Sequence, residues 1–145
     1  NGSIKINLVK GEDDFEFLPE GRTYIKSALK TLQTIPDWEI IYFGGIIQSP
    51  TVDLVSDNLV KVDKMLCVHA IGINSNTFEK WNSYSPTVNL TADEFVRDKF
   101  TQKYAVYPLA VTQYKAISQD GNYGNTPDYN KWISDSYKDV KVVGR

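Results

Sequence analysis

One run constrains the fold of this chain more than any other: WEIIYFGG, residues 38–45. It is dense in apolar β-formers and is stopped by two glycines, the pattern of a buried strand. Ahead of it, Tyr24, Ile25, Ala28, Leu29 and Leu32 recur at helical spacing within residues 22–34, and Pro36 bounds that helix. Before the helix, IKINLV at residues 4–9 alternates and then turns apolar, which reads as another strand. Strands alternating with helices predict an α/β fold.

The remainder extends the pattern. Residues 46–64 predict a loop with one or two short strands, and MLCVHAIGIN at residues 65–74 predicts a further strand. Asn74 or Ser75 is a candidate cap for a helix through Trp81, with Glu79 in its first turns. Thr91 followed by Glu94 three residues on is a capping-box pattern for a short helix. KYAVYPLAVTQ reads as a strand interrupted or ended at Pro108. Beyond Gln113 the chain is rich in Gly, Asn, Asp and Tyr and reads mostly as loop, with a last helix over residues 128–140.

Size and charge narrow the possible functions. At 145 residues the chain is expected to be one domain, or a fragment of one, with residues 1–3 as an appended remnant and 121–145 as a C-terminal extension. A formal net charge of −2, with scattered basic residues, offers no electrostatic footprint for nucleic acid. The lone Cys67 allows neither a disulfide within the chain nor a multi-cysteine zinc site, and beside Met65, Leu66 and Val68 it reads as a small core residue. No run approaches the length of a membrane span, and the start lacks the regions of a signal peptide; for a bacterial or viral source a cytoplasmic location is expected, and for any other source none is assigned.

Three carboxylates, Glu12, Asp13 and Asp14, follow the first strand. In open α/β sheets ligands sit outside the carboxyl ends of strands. By itself the triplet reads either as a solvated acidic turn or as a holder of something positive.

Five segments in order then carry a resemblance: EDDFEFLPEG, DWEIIYFGG, HAIGINSNTFEKW, ADEFV and YAVYPLAVTQYKAIS. Together they resemble glycosyltransferase family 25, which includes bacterial lipopolysaccharide galactosyltransferases and collagen galactosyltransferases. The resemblance covers roughly residues 5–120. It implies a GT-A-like nucleotide-sugar transferase fold lacking the N-terminal βα units that hold the base and ribose. A missing N-terminal segment or a second copy is therefore an expected partner. The chain departs from the family pattern at Gly11, at TAD in place of Pro-Val-Asp before Glu94, and at SQDG, where Asp120 stands one position late.

What the resemblance implies is a hexosyltransferase. It would move galactose or glucose from a UDP-sugar to a saccharide or hydroxylated acceptor, with inversion and with Mn2+ or Mg2+, as in lipopolysaccharide biosynthesis. Hard cations take carboxylate oxygens, so Asp14 and Asp13 are the implied metal ligands. Glu12 would orient the loop or reach the ribose or sugar. Asp93 would be the base that deprotonates the acceptor, with Glu94 as the alternative. Gln113 and Ser118 would hydrogen-bond sugar or phosphate. Against these stand plainer readings. Asp93 and Glu94 suit the first turn of a helix, and Gln113 and Ser118 suit a polar loop. His69 reads as a hydrogen-bonded core residue, and Trp38 and Trp81 read as packing residues. Gly44-Gly45 lacks the spacing and the Lys of a phosphate-binding loop. The alternative function is a non-catalytic binding or structural module that retains part of the fold.

Overall fold

The computed structural model describes residues 5–8, 15–67, 70–85, 91–113 and 129–144. In chain order the strands are β1 (Lys5–Leu8), β2 (Phe15–Phe17), β3 (Ile40–Tyr42), β4 (Ile46–Ile47), β5 (Thr51–Ser56), β6 (Leu59–Val62), β7 (Met65–Leu66), β8 (Ala70–Ile73), β9 (Lys103–Val106), β10 (Val111–Gln113) and β11 (Lys141–Val143). The helices are α1 (Gly21–Leu32), α2 (Phe78–Asn82), α3 (Ala92–Lys99) and α4 (Tyr129–Asp139). Seven strands form one mixed sheet in the order β1-β8-β3-β9-β6-β5-β11, and β2–β10 and β4–β7 form two-stranded ribbons.

The class is α/β, as the alternation predicted, but the sheet is not the parallel one that a Rossmann-like half would supply. Among the described strands only β3–β9 and β5–β11 pair in parallel. β8 lies antiparallel between β1 and β3, and β6 lies antiparallel between β9 and β5. The β5–β6 hairpin turns at Asp57-Asn58, and this turn allows antiparallel neighbours without a crossover helix. Residues 46–64 are thus more regular than expected, with three strands. MLCVHAIGIN is broken into β7 and β8, with Cys67 between them at φ 78°. β11, directly after α4, has no counterpart among the sequence expectations.

β3 is buried along its whole length because both faces of the sheet are covered. Ile40 and Tyr42 point into a core shared with Phe95, Val96 and Phe100 around α3 and with Ile133 and Tyr137 of α4. Ile41 and Phe43 point the other way, into a core with Ala28 and Leu32 of α1. The same alternation runs through β9, where Ala105 faces α3 and α4 while Tyr104 and Val106 face α1. Trp38 is buried on the α1 side. Trp81 stacks against Phe95 and Phe100 with ring centroids 5.9 and 5.5 Å away, so both tryptophans are packing residues here. Burying a side chain such as Phe100 is worth about 2–3 kcal/mol, so each face of the sheet contributes substantially.

The amino-terminal rim of β3 and β9 is tied by polar groups. Glu39 accepts from the backbone N–H of Thr101 at 2.9 Å and of Gln102 at 3.0 Å, and from the Lys80 ammonium. Burial pushes its carboxyl up, but the N–H of Gln102, the Lys80 ammonium and the N–H of Thr101 outweigh that and leave it below the usual range. Lys103, nearly fully buried, donates to the Arg97 carbonyl in the last turn of α3. Burial lowers its pKa, while Asp63 and Asp98 act in the opposite direction.

Replacing Glu39 with alanine leaves two backbone donors without their acceptor. It is expected to cost about 2 kcal/mol in urea unfolding at neutral pH. A carboxyl with a lowered folded pKa contributes stability that is present above its unfolded value and is lost as pH falls through the folded one. The stability difference between native protein and Glu39→Ala should therefore shrink as the pH drops below about 4. A difference that is independent of pH would contradict this assignment.

Candidate functional site

β1 runs antiparallel to β8, β8 antiparallel to β3, and β3 parallel to β9. The carboxyl ends of β1, β3 and β9 therefore lie on one rim, with the amino end of β8 between the first two. Pairing fixes the described residues that flank the acidic segment in sequence. Leu8 is opposite Ala70, and Phe15 is opposite Gln113. Glu12, Asp13 and Asp14 lie between these two anchors and fall outside the described residues, as do His69, Ser118 and Asp120. Gln113 is seen through its backbone, across β2 from the residue that follows Asp14.

Asp93 comes to the same rim from the other side of the chain. It sits in the first turn of α3, which Thr91 caps. The Thr91 hydroxyl accepts from the Glu94 N–H at 3.2 Å, and Glu94 Oε1 accepts from the Thr91 N–H at 3.3 Å. The capping box read from the sequence is therefore present, and Glu94 is engaged in it and lies 3.9 Å from Arg97. Asp93 Oδ2 accepts from the Cys67 N–H at 3.1 Å. Cys67 is buried and takes a left-handed conformation that an L-residue adopts at a cost of roughly 1–2 kcal/mol. The Asp93 carboxylate holds that conformation just before the amino end of β8. Beneath it, the Tyr42 hydroxyl donates to the Met65 carbonyl at 3.3 Å. Burial pushes the Tyr42 pKa upward, and the charge of Asp93 pushes it the same way, so Tyr42 is a neutral donor here.

Gly44 and Gly45 carry the chain from β3 across this rim. A Cβ on Gly44 would lie 2.0 Å from the Val111 carbonyl oxygen, and one on Gly45 would lie 2.4 Å from that of Leu66. The two glycines let three backbone segments touch, a packing role consistent with the absence of a phosphate-loop spacing.

A second feature of this rim was not anticipated. At the carboxyl end of β9 a cleft of about 440 Å³ opens between the turn after β2, the start of α1, Tyr107–Leu109 and α4. Its signal in the sequence was the recurrence of tyrosine in KYAVYP and in DSYKD, which a strand or helix pattern alone reads as core. The Asn58 turn anchors this corner, with the Asn58 Nδ2 donating to the Tyr107 carbonyl and the Tyr107 N–H donating to that of Asn58, both at 3.1 Å.

Among the described residues no three His, Cys, Asp or Glu side chains converge to hold a metal ion, and no helix is long and apolar enough to cross a membrane. Compared with protein-family models, curated proteins and solved structures, the chain matches none.

Two substitutions separate the duties of the first turn of α3. Thr91→Ala removes the cap and should cost about 1 kcal/mol in stability with the Cys67 amide still protected. Asp93→Ala should instead accelerate hydrogen exchange at the Cys67 amide selectively. Equal acceleration in both variants would mean that the Asp93–Cys67 bond does not hold the turn.

Proposed function

We propose that this chain is a glycosyltransferase-type domain of family 25 character. It would transfer a hexose from a UDP-sugar to a saccharide or hydroxylated acceptor with inversion. The observation that supports the reading is that Leu8, the last described residue ahead of the acidic segment in sequence, pairs with Ala70 at the amino end of β8, and that Asp93 is tied to the turn before the same strand.

Asp13 and Asp14 would hold a divalent cation, Mn2+ or Mg2+. Two adjacent carboxylates would supply part of the shell of such an ion and leave positions for phosphate oxygens and water. Such an ion supplies charge neutralisation for a departing diphosphate. Glu12 would orient the loop or reach the ribose or sugar, and Gln113 and Ser118 would hydrogen-bond the sugar or phosphate. Asp93 would take the proton of the acceptor hydroxyl as its oxygen attacks the anomeric carbon from the face opposite the leaving group.

One observation favours a different reading. Both candidate bases already have structural duties, Asp93 on the Cys67 N–H and Glu94 in the capping box. That supports a non-catalytic module keeping the architecture without the chemistry.

Calorimetric titration of UDP with and without Mn2+, together with a transfer assay, decides between them. The transferase reading expects metal-dependent UDP binding that Asp14→Asn abolishes. It also expects Asp93→Asn to keep UDP binding while transfer falls by about 10²–10⁴-fold, the usual contribution of a positioned base. Absence of UDP binding in the presence of Mn2+ would assign the nucleotide to a missing N-terminal segment or favour the non-catalytic module. The lack of both transfer and slow donor hydrolysis by full-length protein with metal and UDP-sugars would sink the transferase reading.

A further inference from the structure

We propose that the cleft at the carboxyl end of β9 is a saccharide-binding site. Its volume of about 440 Å³ lies in the range of sites for small molecules, about 300–1,000 Å³. Its lining joins flat apolar surfaces to a few polar groups, and this mixture selects the ligand class.

The flat wall is rigid. The rings of Tyr107 and Tyr137 are 10° from parallel with centroids 5.9 Å apart. Tyr137 is buried and its hydroxyl donates to the Val106 carbonyl at 3.1 Å, so the pair is held at a set pitch. Pro108 lies beside them in the lining, and Pro19 adds a second stiff apolar surface. A pyranose ring presents a face of C–H groups that packs on accessible apolar surface, here the half-buried Tyr107 and the exposed Pro108, with the buried Tyr137 backing them.

The polar groups suit hydroxyls. Tyr24 lines the cleft, and its hydroxyl donates to Glu20 Oε2 at 2.9 Å, which leaves its oxygen lone pairs as acceptors beside a carboxylate acceptor. Ser134 and Lys138 line the α4 side, a hydroxyl that both donates and accepts and an ammonium with three donors. Sugar hydroxyls need donors and acceptors interleaved in this way. A nucleotide's phosphates would call for several cations, whereas Lys138 is the one cation in the lining among the described residues, and the Glu20 carboxylate at the start of α1 opposes an anion there. A hydrocarbon chain would leave these polar groups unpaired.

As an acceptor subsite the cleft rests on the transferase reading, whereas as a saccharide site it does not. Leu18 in its lining follows Asp14 by four residues, at most roughly 13 Å of extended chain. β9 is the third strand from β1, roughly 14 Å across the sheet at the usual strand spacing. The cleft would thus hold a sugar unit one or two removed from the reacting hydroxyl.

The test is nuclear magnetic resonance of the isotope-labelled full chain titrated with lactose, maltotriose and chitotriose. At least one should shift the amides of Leu18, Tyr24, Leu109 and Lys138 with a dissociation constant of about 1 mM. Lys138→Ala should weaken that binding by about tenfold, and Tyr24→Phe should weaken it by a smaller factor. Both positions are solvent-accessible, and an unchanged spectrum elsewhere verifies folding. The double variant Asp13→Asn, Asp14→Asn should leave saccharide binding intact whatever it does to UDP, which separates this inference from the donor site. No shift with any of the three sugars at tens of millimolar overturns the proposal. So do shifts indifferent to both substitutions, and so does UMP shifting these amides where the sugars do not.

Discussion

The structure depends on the burial of β3 from both sides. Three consecutive residues, Ile40 to Tyr42, are shut off from solvent, so the sheet around them needs a layer on each face. α1 supplies one layer with Ala28 and Leu32, and α3 and α4 supply the other with Phe95, Phe100, Ile133 and Tyr137. Backbone polar groups in such a strand have no access to water and must be paired laterally. β8 and β9 do that on its two edges, one antiparallel and one parallel. The mixed directions of those neighbours then decide which strand ends share a rim.

The ends of β1, β3 and β9 point the same way, so Asp93 and the tyrosine-lined cleft occupy one side of the sheet, although their residues are far apart in the chain. The opposite rim is occupied by structural polar groups. Glu39 bridges Lys80 to Thr101 and Gln102, and Lys103 closes the end of α3. Hydrogen-bonded polar groups stiffen that end of the sheet.

Asp93, the proposed base, has a duty in folding. At the second position of α3 it favours the helix start, and its bond to the Cys67 N–H holds a left-handed residue ahead of β8. A carboxylate held in this way is preorganised, the condition a catalytic base requires. It is also what a purely structural aspartate looks like. The geometry of this one residue is therefore shared by the two functional readings, and ligand binding, not packing, separates them.

Much was determined by the sequence alone because it is local. The helical spacing of α1, the capping box at Thr91 and Glu94, the dense run of β3 and the break at Pro108 each express a short-range rule of backbone sterics or side-chain burial. Only the tertiary structure decided strand direction, because apolar runs such as LVKV and AIGI read alike in a parallel or an antiparallel partnership. It alone split MLCVHAIGIN at Cys67, where a long-range bond from Asp93 outweighs the β preference of the run. It alone gathered Tyr24, Tyr107 and Tyr137 around one cleft, since residues brought together by packing leave no periodic mark along the chain.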